Sequence, residues 1–362
     1  MSGNARTWRA ALVAGIALAV CPIAADAHEK WFIDAGKYPL RWDLFFSAGP
    51  LACVIAVAAL TAALAYLWRA RGQRDFIPPP EHFGATPQGR RIVYALLPLI
   101  IGLHVAIPLF YNGSHGVLLS PSVRLHGAPA YLCGLVEIWV ALSLFYGGFT
   151  RLAALALAAL WIAGIALAGL QSMLDSALYL GVAAFFFLAA RGPIAIDRFM
   201  FPRLEPPPAF ARYAVTALRV GIGTSFIIVA FTEKLANLPL ALAFLQRYPL
   251  NFTASLGVPL SDRAFVLGAG SVELLVGLCL LFGLFPREII IIAWLPINLT
   301  LTYFNTTELI GHLPIYGIMA LLLIWIPGRA NLDQWTEGLH LFHPAGDGLD
   351  APLSQSAPHS LS

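Results

Sequence analysis

Apolar runs long enough to cross the roughly 30 Å hydrocarbon core of a bilayer recur near residues 45–68, 92–111, 130–148, 151–170, 173–190, 212–232, 263–285, 287–305 and 312–327. A water-soluble core has no room for so many. With 59% hydrophobic and 11% charged residues and a mean hydropathy of +0.76, the bilayer is the main solvent. The spacing predicts an all-α integral membrane protein with about nine transmembrane helices. The net charge is +3 and the basic residues stand at the ends of the runs, so there is no basic stripe and nucleic acid is excluded as a partner. Cys21, Cys53, Cys133 and Cys279 are far apart in apolar segments, with no C-x-x-C pair for a dithiol or structural zinc. They read as packing residues.

Residues 1–27 have the form of a signal peptide: Arg6 and Arg9, an apolar stretch Ala10–Val20, then Ala25-Asp26-Ala27 with small residues at the two positions a signal peptidase reads. Cleavage makes His28 the first residue. Its amine and imidazole, beside Glu29, can then chelate copper if another ligand, such as a second histidine, joins them. Without cleavage the stretch is an extra span and His28 an ordinary loop residue. A periplasmic segment and first transmembrane helix fill 28–74. With the mature N-terminus outside, every arginine cluster (around Arg69, Arg90, Arg151, Arg198 and Arg287) falls on the cytoplasmic side, as does the C-terminus. Lys30, Lys37 and Lys234, the three lysines, fall outside. That is the orientation of a bacterial inner-membrane protein. The tail 344–362 is expected to be disordered.

Internal comparison organises the rest. Val136-Glu137-Ile138 through Phe149-Thr150-Arg151 matches Val272-Glu273-Leu274 through Phe285-Pro286-Arg287 at a constant offset, and Arg91–Gly113 lies over Arg212–Lys234. The chain therefore reads as a tandem parallel repeat of a four-helix bundle, a degenerate copy at 91–192 and a second at 212–328. Pro78-Pro79-Pro80 and Pro206-Pro207-Pro208 mark the boundaries.

Glu137 and Glu273 are equivalent, each about two turns inside a span. A carboxylate there costs on the order of 2–4 kcal/mol unless paired, protonated or facing water, so each is either a proton-handling or headgroup-binding acid or a buried structural group. Only the second copy sets Glu233-Lys234 nearby, and its eighth span carries Asn298, Thr302 and Asn305 on one helical face. With Tyr303 and His312 these are expected to converge on an outer-leaflet pocket. Lys234 and His312 would polarise or protonate a ligand, Glu273 would exchange protons, and Glu233, Asn298, Thr302, Tyr303, Asn305 and Glu137 would contact it. The plain alternative is a lysine neutralising its neighbours and amides joining helices. Residues Leu235–Leu250 are expected to form a short helix over the pocket. The loop histidines His115 and His126, with His28, permit a metal site, though their spacing matches no known ligand pattern.

The segment Arg219–Lys234, Val272-Glu273-Leu274-Leu275-Val276-Gly277 and Phe282-Gly283-Leu284-Phe285-Pro286-Arg287 resembles the DoxX family over 212–328, and through the repeat over 91–192. Ala27-His28-Glu29-Lys30-Trp31-Phe32 also looks like a motif of some larger membrane members. The resemblance implies a four-helix membrane unit and, in the best-understood relatives, a subunit of a thiosulfate:quinone oxidoreductase. By analogy it points to Glu273 and Glu233-Lys234 as the pocket. No haem, flavin or other covalent cofactor motif is evident, so an electron-donating partner subunit is implied. The expected function is a quinone-binding membrane subunit of an oxidoreductase. The alternatives are a non-enzymatic scaffold or assembly factor, and periplasmic copper handling through His28 and Glu29.

Overall fold

The computed structural model describes residues 28–304 and 306–325, together with 333, 335 and 337–339. The expected signal peptide 1–27, Asn305 and the tail 344–362 lie outside the described residues. The described residues contain helices and no strand. Seven helices are long and apolar enough to cross a membrane, which makes this an all-α multi-pass membrane protein.

In chain order, numbering only the longer helices, these are α1 (Ala48–Ala70), α2 (Pro87–Ser114), α3 (Ala128–Tyr146), α4 (Thr150–Ala168), α5 (Leu178–Ala189), α6 (Pro208–Val229), α7 (Leu238–Arg247), α8 (Asp262–Phe282), α9 (Pro286–Leu301) and α10 (Thr306–Ile324). Two predicted spans are shorter than expected. Helix α5 has 12 residues and α9 has 16, about 18 and 24 Å at 1.5 Å per residue. The apolar run continues into α5, but Gly169 breaks it with φ 88 and a separate turn, Leu170–Asp175, intervenes.

The two halves pack in the same order. In the first, α2 packs on α3, α3 on α4 and α4 on α5; in the second, α6 packs on α8, α8 on α9 and α9 on α10. The halves then meet twice, through α5 on α6 and α10 on α2. Those contacts exchange equivalent helices, as a two-fold axis along the membrane normal requires. At the first seam a Cβ on Gly221 would sit 2.6 Å from the Cα of Gly181, so the backbones touch as small-residue helix pairs do. Helix α1 lies outside this ring, against α8.

The arginine-rich end repeats in detail. Phe149 (φ 54) and Phe285 (φ 44) both adopt left-handed backbone, turning the chain sharply between antiparallel helices. Just beyond, Arg151 Nε donates to the carbonyl of Phe187 at 3.3 Å and Arg287 Nε to that of Leu323 at 3.1 Å. Carboxylates cap the helix that follows: Asp197 accepts from the backbone N–H of Phe149 and Thr150 at 2.6 and 2.7 Å, and Asp75 from that of Arg287 at 3.4 Å. The last carbonyls of α3 and α8 take arginines too, Arg191 on Leu144 and Phe145 and Arg219 on Leu280 and Leu281. From the C-terminal stretch Trp335 is fully buried, its indole N–H donating to the carbonyl of Ala211 at 3.1 Å.

Candidate functional site

At the opposite, lysine-bearing end, α6 runs into a wider π-type turn, Ala230–Leu235. Such turns hold side chains at angles a regular helix cannot, and this one carries Thr232, Glu233 and Lys234 inward, all buried. Lys234 Nζ donates to Glu273 at 2.8 Å and lies 3.3 Å from Glu29. Glu233 accepts the backbone N–H of Glu29 at 2.7 Å and faces His28 Nδ1 at 3.5 Å. His312 lies 3.5 Å from Glu308, one turn earlier on α10.

The N-terminal segment His28–Phe32 completes the cluster by threading between the halves. Lys30 pairs with Asp175 and donates to Thr232 at 2.7 Å, while Thr232 donates to Asp175 at 2.8 Å. The indole of Trp31 lies 4.2 Å from the ring of His28 and 5.3 Å from that of His312. It also abuts the backbone of Gly311, where any side chain would collide, and donates to Ser120 at 3.1 Å. Phe32 stacks on Phe304 at 4.3 Å and touches Phe244 of α7, so α7 holds the segment down.

Burial sets the electrostatics. It raises the carboxyl of Glu29 well above its ordinary range, against the pull of Lys234, and raises that of Asp175 against Lys30. Burial works against a charge on His28, but Glu233 outweighs it and the net shift is upward. Five carboxylates (Glu29, Asp175, Glu233, Glu273, Glu308) face two lysines (Lys30, Lys234) and two histidines. Acidic groups thus outnumber basic ones, and the burial that raises Glu29 and Asp175 favours holding part of that surplus as neutral acid.

Between the halves lies a cleft with a free volume of about 50 Å³, room for a few waters. Its polar side includes Ser120, Asp175, Glu233, Glu273 and His312; Ile222, Phe226 and Ile297 are among its apolar lining. Glu273 Oε2 and His312 Nδ1 are buried with no hydrogen-bond partner among the described residues.

Of the residues singled out in the sequence, Glu233, Lys234, Glu273, His312, His28 and Glu29 therefore come together. Asn298, Thr302 and Tyr303 do not join them, which corrects the expected convergence for these three; Asn305 lies outside the described residues. Asn298 donates to the carbonyl of Trp294 and Thr302 to that of Leu299, both at 2.7 Å. Tyr303 is 51% exposed. Helical rotation turns Ile297 and Thr300 inward instead. Glu137, fully buried, accepts the backbone N–H of Leu119 at 2.8 Å and lines no part of the cleft. His115 and His126 are exposed and neither lines the cleft beside His28; among the described residues no group of three metal-ligating side chains forms. Lys30, Trp31, Asp175, Thr232 and Glu308 were not singled out. Asp175 and Glu308 each carried a readable signal, as acids interrupting apolar sequence.

Comparisons with models of known families, with curated proteins and with solved structures find no match.

Proposed function

We propose that this protein is the quinone-binding membrane subunit of an oxidoreductase, with its lysine-bearing end on the outer side of a bacterial inner membrane. The observation that carries the reading is the Glu29–Lys234–Glu273 network beside His312, bordering a cleft that is polar at one side and apolar at the other. A neutral ring on an apolar tail suits such a cleft. Converting a quinone to a quinol takes up two protons along with two electrons, and buried carboxyls can supply the protons. In this reading Glu273 exchanges a proton with the ligand, Lys234 steadies its charge, and His312 is a second carrier. The electrons come from a partner subunit. The resemblance to the DoxX family adds support through the motifs around Glu273 and Phe285 alone.

The free volume of about 50 Å³ is far below the ~300 Å³ lower end for ligand pockets. A ring therefore enters by displacing Trp31, whose indole packs against both histidines, 4.2 Å from the ring of His28 and 5.3 Å from that of His312. A photoreactive short-chain quinone tests this. It is expected to cross-link near Glu273 on α8 and His312 on α10, with more labelling in Trp31→Ala. Labelling confined to lipid-facing residues such as Trp294 would refute the pocket.

A further inference from the structure

His28 and His312 come from opposite parts of the chain, yet their rings lie 5.4 Å apart, centre to centre. Two imidazoles bound to one metal through bonds of about 2.0–2.1 Å place their ring centres roughly 5 Å apart. Each of these histidines also has a carboxylate 3.5 Å from its Nδ1, Glu233 for His28 and Glu308 for His312. That is long for a hydrogen bond and close to the roughly 3.3 Å that separates two donors on one tetrahedral ion. His312 is 1% exposed and its Nδ1 has no hydrogen-bond partner among the described residues. Glu233 and Glu308 are the acids placed to offset the charge of a cation between the two rings.

Side chains alone fall short of a metal site. Among the described residues no three His, Cys, Asp or Glu side chains converge closely enough to hold an ion. The missing donor is one that the sequence provides for. Cutting between Ala27 and His28, where Ala25-Asp26-Ala27 reads as a signal-peptidase site, would release an α-amine on the same residue as the His28 imidazole, and the two together form a chelate.

We propose that the mature protein binds one divalent transition ion through the α-amine and imidazole of His28 and the imidazole of His312, with Glu233 and Glu308 as flanking carboxylates. A nitrogen-rich donor set of this kind favours copper(II) over zinc. The proposal does not depend on the quinone reading, and an ion held there would take His312 out of the proton-carrying role while leaving those of Glu273 and Lys234.

The test uses the full chain, expressed with its own N-terminus, purified in nanodiscs and stripped with a chelator. N-terminal sequencing is expected to begin His-Glu-Lys-Trp. Titration with Cu²⁺ alone, and Zn²⁺ alone in parallel, is expected to load one ion per chain by elemental analysis, with nitrogen couplings in the copper spin-resonance spectrum. His312→Ala should weaken copper binding at least tenfold. One alanine inserted between Ala27 and His28 should do the same if cleavage stays after Ala27, with every side chain of the cluster left in place. His126→Ala, in an exposed loop, should change nothing. A mature chain that begins elsewhere, substoichiometric metal, or copper held equally well by His312→Ala would each overturn the proposal. Quinone content measured on the same samples separates this failure from that of the quinone reading.

Discussion

Lys234 sits between two carboxylates, 2.8 Å from Glu273 and 3.3 Å from Glu29, with 2% of its surface exposed. Removing one partner of a buried pair leaves the other charge unsolvated, at a cost of about 3–5 kcal/mol. Lys234→Met is therefore expected to lower the unfolding temperature of the detergent-solubilised protein markedly. Adding Glu29→Gln and Glu273→Gln should recover most of the loss. If Lys234→Met melts like the wild type, the three groups are not an interdependent network. Glu233, Lys234 and Glu273 were legible in the sequence because a charge inside an apolar run has few inexpensive places to go; Asp175 and Glu308 follow the same rule but were not singled out. Asn298 and Thr302 misled for the converse reason. A short polar side chain can satisfy itself on its own helix, and both do so on carbonyls three or four residues back. Their spacing alone could not distinguish a pocket from that local solution.

Among the elements, the corner before α4 depends on Asp197, which accepts two backbone N–H groups. Asp197→Ala should cost about 1–2 kcal/mol, measured as a shift in thermal unfolding. Asp75→Ala at the equivalent corner should cost less, because its backbone contact is longer at 3.4 Å. The seam of α5 and α6 is a stricter constraint. Gly221→Leu would drive a side chain into the backbone of Gly181, and it is expected to abolish the monodisperse folded peak in size-exclusion chromatography. An unchanged peak would show that the halves do not meet there. Helix positions were readable from hydropathy, whereas the lengths of α5 and α9 were not. An apolar run records which residues prefer lipid but not where Gly169 interrupts the hydrogen bonding.

For the whole molecule, the internal repeat carried the most information, since two equivalent halves imply two equivalent seams. What the repeat could not give is what fills them. Trp31 occupies the seam at one end and Trp335 is buried at the other, and both come from segments outside the repeated units, so neither had a counterpart to betray it. Trp31 is also why the cleft is small, which makes ligand occupancy the question on which the functional account rests. The most direct measurement is to purify the protein in nanodiscs, extract the lipid-soluble small molecules and quantify them by mass spectrometry for the wild type, Glu273→Gln and Lys234→Ala. The account predicts near-stoichiometric quinone in the wild type and its loss in both variants. Quinone no richer than in bulk membrane, with all three proteins folded, would contradict it.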